Sequence, residues 1–387
     1  MAKKKINIAI IGRGFMGRAH SFAWANAAKF FDIDADIVLK AAYSRNKDEA
    51  KKFASKWGWE EVLSSSDELL ERKDIDVVDI VTPTIDHAPL AIKAAENNKH
   101  IFCEKPAATT YKDAREMAVA AENAGVVNYL NHNYRRVPAV AFAKKLIDEG
   151  KIGDIYHFRG AYLQDWIMDS NFPLTWHLQD KYAGGGPLFD LGSHSVDLAR
   201  FLVGEISSVS AKLRTFIRKR PLPGSDAGTF TAGERDSASS CGEVTVDDAA
   251  FFVVDFENGA LGSFDVSRFA GGRKNWNDFE IYGSKGSLAF NFESMNELKF
   301  CELDTKAGEQ GFKTISVTTP DHPYAGLWWG PGHVLGYENP FFHAVADFIN
   351  AIARGKKISP NLSDGASNIR ILEAVKKSAD EKKAVDI

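Results

Sequence analysis

The stretch INIAIIGRGFMGRAHSFAWA, residues 6–25, decides the fold. An apolar, β-branched run stops at Ile11, glycines follow at 12, 14 and 17, and an apolar segment with helical spacing begins at once. A Gly-x-Gly-x-x-Gly string alone is weak, but between a strand and a helix it has a physical meaning. The first glycine permits a tight turn, the second lets a ligand approach the backbone, and the third lets helix and strand pack closely. The free N–H groups at the helix start can then hold a pyrophosphate. Gly12, Arg13, Gly14, Phe15 and Met16 are therefore candidate cofactor-binding residues. The lysines at 3–5 followed by an apolar run resemble a leader peptide. The run is shorter than an h-region and lacks a small-residue cleavage site, so it reads as a first strand.

Working outward, strand-like runs at Ile6–Ile11, Ile37–Tyr43, Val77–Val81, His100–Cys103 and Val127–Leu130 alternate with helical patterns such as Ala88–Glu96 and Tyr111–Asn123. That alternation predicts a parallel sheet wound on both faces, here a dinucleotide-binding domain over residues 1–130. The texture then changes. AAFFVVDFENGALGSFDVSRF (249–269) reads as a hairpin around Asn258-Gly259, and DFEIYGSKGSLAFNF (278–292) continues the habit. Residues 131–387 are expected to form a second α/β domain with a large, mainly antiparallel open sheet. The Gly-, Ser-, Ala- and Pro-rich stretch 220–244 reads as a long loop or lid.

The chain has 387 residues, too many for one ordinary core, with 44% hydrophobic and 26% charged residues. A net charge of -4 offers no basic field for nucleic acid. The three cysteines, Cys103, Cys241 and Cys301, are far apart and fit neither a disulfide framework nor a zinc site. No apolar run is long enough to span a membrane. A soluble cytoplasmic protein without a metal is the expectation.

The end of the second predicted strand bears on the choice of nucleotide. NAD-binding domains place an acid there for the ribose hydroxyl, whereas NADP binders replace it with cations. This chain reads AAYSRNK (41–47), and Ser44, Arg45 and the nearby Arg13 lean towards NADP. Asp48 and Glu49, a turn further on, keep NAD open. GGGPLFDLGSHSVDLA (184–199) places Asp190 and His194 four residues apart. On a helix this puts both side chains on one face, roughly 5–6 Å apart at Cβ, and the preceding glycines would let a ligand approach the helix start. A solvated surface pair is the rival reading.

With IGRGFMG (11–17), VTPTIDH (81–87), FCEKP (102–106) and GGGPLFDLGSHSVDLA together, the chain resembles the Gfo/Idh/MocA oxidoreductase family over nearly its whole length. NYRRVPAVAFAKK (133–145), YLQDW (162–166), RFAGGRKNWNDFEIYGSKGSLAFN (268–291) and HPYAGLWWGPGHVLGYE (322–338) resemble its levoglucosan, inositol and glycoside 3-dehydrogenase branch. The resemblance implies a Rossmann domain plus an open-sheet domain whose exposed face makes homodimers or homotetramers. It carries the family's E-K-P motif onto Glu104, Lys105 and Pro106, its D-x-x-x-H onto Asp190 and His194, and its Thr-Pro and following His onto Thr82, Pro83 and His87. Ser44 departs from the acid that relatives carry, which puts an assumed NAD preference in doubt.

The activity implied is oxidation of a ring secondary hydroxyl, at C3 of a pyranose, in a neutral sugar, anhydrosugar, glycoside or inositol. His194 would take the hydroxyl proton, Asp190 would orient the imidazole, and Lys105 would steady charge on the oxygen. Asn133, Tyr134, Gln164, Asp165, Trp166, Trp176 and His333 are the expected pocket residues. Of Arg135 and Arg136, one should face solvent and the other the cofactor or a neighbouring strand. A redox-neutral NAD-dependent glycosidase and a non-enzymatic nucleotide sensor are the competing functions.

Overall fold

The alternating first part of the chain builds one parallel sheet. In the computed structural model, which describes residues 3–224 and 240–387, the strands are β1 (Lys4–Ile11), β2 (Ala35–Tyr43), β3 (Glu61–Val62), β4 (Val77–Ile80), β5 (His100–Cys103) and β6 (Asn128–Leu130). Between them run α1 (Phe15–Phe30), α2 (Lys47–Trp57), α3 (Ser66–Glu71), α4 (His87–Glu96) and α5 (Tyr111–Asn123). The spatial order is β3-β2-β1-β4-β5-β6, every pair parallel. In this order the chain reverses direction across the sheet between β1 and β4, the switch point at whose carboxyl ends ligands bind in such folds.

The second part carries α6 (Pro138–Asp148), β7 (Ile155–Leu163), α7 (Asp180–Ala183), α8 (Pro187–Asp190) and α9 (Gly192–Leu202). Strands β8 (Ile206–Arg214), β9 (Lys219–Pro221), β10 (Cys241–Glu243), β11 (Ala249–Phe256), β12 (Leu261–Ser267), β13 (Trp276–Gly283), β14 (Gly286–Asn291), β15 (Glu297–Glu302), β16 (Lys313–Ser316) and the terminal β17 (Val385–Asp386) follow. Nine of them form one sheet in the order β16-β15-β14-β13-β7-β12-β11-β8-β17. Only β7 and β12 pair in parallel; the other neighbours are antiparallel. The expected hairpin joins β11 to β12, with Gly259 at φ 87. β9 and β10 make a separate ribbon. Most of the expected lid, residues 225–239, lies outside the described residues.

Two helices complete the chain, α10 (Asn339–Ala353) and α11 (Leu362–Glu381). They correct the expected domain boundaries. By contacts the chain divides into Met1–Asn133 with Tyr337–Ile369, and Tyr134–Gly336 with Arg370–Ile387. A second domain running unbroken from residue 131 to the end therefore does not form. The reason is apolar surface on α1: Phe22 and Phe30 meet Phe342 of α10 edge-on at 5.3 and 6.1 Å, and Asn350 bonds the backbone at Asp32 and Asp34.

In the second unit period-2 alternation fixes the sheet faces. On β11 the residues Phe252, Val254 and Phe256 are buried while Phe251, Val253 and Asp255 are exposed. Phe252 stacks on Phe264 of β12 at 4.5 Å, and α8 packs over β11 and β12, with α9 over β7.

The glycine run ahead of α8 has a packing role. A Cβ on Gly186 would stand 1.8 Å from the Asp247 backbone oxygen. The Asp247 carboxylate accepts hydrogen bonds from Gly186 N–H at 2.8 Å and Leu188 N–H at 2.9 Å. The anion at the start of α8 is thus the protein's own side chain, which overturns the reading of these glycines as an approach path for a ligand. Gly186→Ala should destabilise the protein by about 3 kcal/mol, the upper end of overpacking costs, as read from urea unfolding.

Candidate active site

In the first unit Gly12 has φ +118, and a Cβ there would lie 2.6 Å from the Val81 oxygen. Its N–H donates to the Tyr43 carbonyl at 2.9 Å, so the turn is tied to the ends of both neighbouring strands. A Cβ on Gly17 would lie 3.2 Å from the Gly12 oxygen, whereas Gly14 has open space around it. Gly14 caps α1 without a side-chain bond, and the helix has no acidic residue in its first turn. Beside this loop, past the end of β4, Thr82 Oγ1 is buried and has no hydrogen-bond partner among the described residues. A glycine turn with an open side, an uncapped helix start and an orphaned hydroxyl fit a dinucleotide. Phe15 is exposed and Met16 half-buried at that helix start, and Pro83 begins the short turn Thr84–Asp86.

Past β2, Asn46 caps α2 by accepting from Glu49 N–H at 3.1 Å, and Ser44 Oγ donates to the Asn46 carbonyl at 3.2 Å. Arg45 is exposed. Arg13 lies 3.6 Å from Glu49. The cation that suggested a 2′-phosphate is answered by an acid.

Below the loop lies a network that sequence reading missed. His20, three residues past Gly17, is buried against the sheet. Its Nδ1 donates to Asp79 at 2.9 Å and its Nε2 to Glu104 at 2.8 Å. Burial works against the imidazolium, but the two carboxylates outweigh it and push its pKa up to about 10. Trp24 Nε1 donates to Asp79 at 2.7 Å and Asn131 Nδ2 to Glu104 at 2.6 Å. Burial raises the pKa of Glu104, yet His20, Lys105 and Asn131 together hold it below the usual carboxylate range. Its second oxygen accepts the Lys105 N–H at 3.1 Å. Glu104, expected against the cofactor, is thus committed to fixing the backbone of Lys105, which precedes a cis Pro106.

His87 needs a similar correction. It is 1% exposed, with Nδ1 2.9 Å from the Pro106 oxygen and Nε2 3.0 Å from the Thr82 oxygen. Burial holds its pKa below the usual value. The ring braces the two backbones instead of presenting itself to a ligand, because both nitrogens are already taken. Asn133, at the end of this unit, is buried, and its Nδ2 has no hydrogen-bond partner among the described residues.

In the second unit the expected continuous Asp190–His194 helix is broken. α8 ends at Asp190, α9 starts at Gly192, and His194 N–H donates to Leu191 three residues back. Asp190 Oδ2 accepts from Arg268 Nη2 at 2.7 Å. His194 is buried and stacks on the Tyr134 ring at 4.3 Å. Tyr134 and Tyr162 share a hydroxyl bond at 2.9 Å, and Tyr162 donates to Asn275 Oδ1 at 2.7 Å. Gln164 Nε2 donates to the same oxygen at 3.0 Å, and Gln164 Oε1 accepts from Trp166 Nε1 at 2.8 Å. Trp176 stacks on His177 at 3.7 Å, which in turn meets Trp166 edge-on at 5.9 Å. Asp190, His194, Tyr134, Gln164, Trp166 and Trp176 therefore share one polar and aromatic cluster.

Three expectations fall outside it. Asp165 turns away to accept from Lys274 Nζ at 2.7 Å and Gly272 N–H at 3.1 Å, and the lysine holds its pKa down. His333 is exposed and donates to the Gly330 carbonyl at 2.8 Å, because the glycine-rich turn projects it outward. Arg135 and Arg136 are both buried, so neither faces solvent. Arg135 grips Asp197 on α9 through two bonds of 2.7 and 2.6 Å, a bidentate pair linking the Tyr134 turn to the His194 helix. Arg268 and Asn275 are the cluster members that sequence reading missed; RFAGGRKNW offered cations but no spacing to choose among them. Among the described residues no group of His, Cys, Asp and Glu could hold a metal, and no helix is long and apolar enough to cross a membrane.

This arrangement defines an oxidoreductase with a dinucleotide-binding first unit. An oxidoreductase family model with an NAD-binding Rossmann fold matches residues 6–132, and a GFO/IDH/MocA C-terminal domain model matches residues 140–289. The levoglucosan dehydrogenase of Pseudarthrobacter phenanthrenivorans is 43% identical over 389 residues, covering 99% of this chain and 98% of that one. The myo-inositol 2-dehydrogenase of Thermotoga maritima is 26% identical over 99% of this chain and 98% of that one. A solved levoglucosan dehydrogenase in complex with NADH and levoglucosan superposes with a TM-score of 0.92 at 40% identity, over 99% of each chain. The chain belongs to the Gfo/Idh/MocA oxidoreductase family and is an NAD-binding oxidoreductase.

The His20 network has a measurable signature. A group whose pKa is raised by folding stabilises the fold below its unfolded value, near 6.5, and loses that contribution as pH climbs towards about 10. Melting temperature should therefore fall between pH 6.5 and 10 in the wild type. His20→Gln should melt lower at pH 6.5 and show a flatter alkaline decline; parallel curves would remove the charge from His20.

Proposed function

We propose that the protein oxidises a ring secondary hydroxyl of a neutral sugar or anhydrosugar, with levoglucosan the first candidate, an inositol the next, and C3 of the pyranose the position attacked. The observation that carries this reading is the charge balance of the cluster. Asp190 is answered by Arg268 at 2.7 Å, Asp165 outside the cluster is taken up by Lys274, and Tyr134, Gln164 and Trp166 supply polar atoms and flat apolar surface. Such a lining suits an uncharged polyol, whose hydroxyls pair with fixed donors and acceptors. The full-length similarity to a levoglucosan dehydrogenase supports the same substrate class.

His194 receives the hydroxyl proton as the carbon–hydrogen bond breaks. Asp190, oriented by its bond from Arg268, steadies the imidazolium that results. Lys105, its backbone fixed by Glu104, donates to the substrate oxygen as that oxygen loses its proton. The Gly12–Gly17 loop would hold NAD, which would supply the hydride acceptor.

For the nucleotide we favour NAD over the NADP towards which Ser44, Arg45 and Arg13 leaned. Glu49 beside Arg13 repels a 2′-phosphate, and the similar levoglucosan dehydrogenase was solved with NADH. The reaction suits a cytoplasmic enzyme.

The open face of the nine-stranded sheet is, in this reading, where copies associate into a dimer or tetramer. Phe251, Val253 and Leu261 stand 52%, 55% and 58% exposed in adjoining rows of it. Arg159, Lys212 and Arg214 stand on that face among the acids Asp265, Asp278 and Glu280, a mixture that two copies can match reciprocally. Phe251→Glu should convert the wild-type oligomer to monomer by sedimentation velocity; a monomeric wild type would defeat this assignment.

Activity is tested with both nucleotides against levoglucosan, free sugars, glycosides, inositols and phosphorylated sugars. NAD-linked turnover of levoglucosan giving the 3-ketone by NMR is the expected result. Lys105→Ala and His194→Ala should each lower kcat by about 10²-fold or more while NADH still binds. Turnover confined to phosphorylated or acidic sugars would defeat the substrate class, and glycoside cleavage without net NADH would point to the glycosidase.

A further inference from the structure

Arg268 stands at the C-terminal end of β12, yet its side chain is 1% exposed. Its Nη2 donates to Asp190 Oδ2 at 2.7 Å and its Nη1 to the His177 carbonyl at 3.3 Å. The guanidinium carbon also lies 5.1 Å from the centre of the Trp166 ring. One guanidinium therefore bonds a carboxylate through an N–H while its carbon stands over an indole ring, a combination that a compact ammonium reproduces poorly. Asp190, by contrast, keeps a side chain 30% exposed. The cation is sealed in and its partner is presented.

A second set of contacts leads from Trp166 to His194. From Trp166 the hydrogen bonds run through Gln164, Asn275 and Tyr162 to Tyr134, whose ring stacks on His194. His194 lies in α9, which follows the α8 helix that Asp190 ends, and Arg268 stands between its acid and its aromatic plate while the chain of contacts from that plate reaches the His194 ring.

We propose that Arg268 is a positioning residue for the oxidation, coupling Asp190 to Trp166 so that acid and indole meet the sugar as one rigid unit. The proposal rests on the sugar dehydrogenase reading above. A purely structural role has a definite rival form: burial raises the pKa values of Asp247 and Asp248, Arg268 counters part of that rise, and balancing their charge would then be its whole function. Arg268→Lys separates the two roles, because it keeps the positive charge and removes both the fork and the flat face.

The experiment uses the full-length enzyme with its best sugar from the panel. Arg268→Lys should lower kcat at least tenfold and raise the sugar KM, with the NADH dissociation constant within twofold of wild type and little change in melting temperature. Wild-type kcat and KM in this variant would overturn the proposal. So would a loss of activity matched by the loss of folded protein. A second test leaves Arg268 untouched: Asp190→Asn and Trp166→Phe should combine with at least threefold non-additivity in kcat/KM, and additive losses would overturn the coupling. Trp166 emission, taken as the difference between each form and its Trp166→Phe partner, should shift in Arg268→Lys with no substrate present. An inactive wild type across the panel would sink the sugar reading, whereas an unshifted Trp166 emission would sink the role of Arg268.

Discussion

The first unit depends on one buried cation. His20 is charged because Asp79 and Glu104 grip it from both sides, and those acids tolerate burial because His20 is charged. Removing one partner from such a set is costly, typically about 3–5 kcal/mol, since a charge is left buried without an answer. The network joins helix α1, which begins at the glycine loop, to the ends of β4 and β5. Glu104 then passes the constraint to the Lys105 backbone. The loop read as the nucleotide cradle and the lysine read as catalytic are held in one frame by a side chain that touches neither.

The second unit follows the same logic with different partners. Asp190, Asp197 and Asp165 are each met by a cation, respectively Arg268, Arg135 and Lys274. Asp247 instead takes two backbone N–H groups at the start of α8. Burial pushes its carboxyl upward, and those N–H groups with Arg268 hold it back. These pairings join distant stretches of chain, and the active-site reading relies on their rigidity. They also leave the pocket side chains with hydrogen-bonding capacity but little net charge, which suits a substrate rich in hydroxyls.

Much was legible in sequence because its physical cause is local. The glycine motif between an apolar strand and a helix reports a backbone turn, since a Cβ does not fit at Gly12 and would be tight at Gly17. Alternating strands and helices imply the parallel sheet, and period-2 runs with Asn258-Gly259 imply the β11–β12 hairpin, each set within about twenty residues. Lys105, Asp190 and His194 stood out through short motifs for the same reason.

What only the tertiary structure decided involves partners far apart in sequence. That α10 returns to cover α1 follows from apolar surface seeking a mate, and chain order carries no record of it. The glycines before α8 answer to Asp247, some sixty residues later, and so mimic a ligand site. His87 and Glu104 look like ligand contacts until their acceptors and donors are counted, and only three-dimensional neighbours supply that count. Arg268 is the clearest case: one arginine in a basic stretch becomes the hub of the cluster because folding brings Asp190 and Trp166 to its edge and face. Local sequence determines backbone conformation over a few turns. Which charges meet depends on the packing of the whole chain.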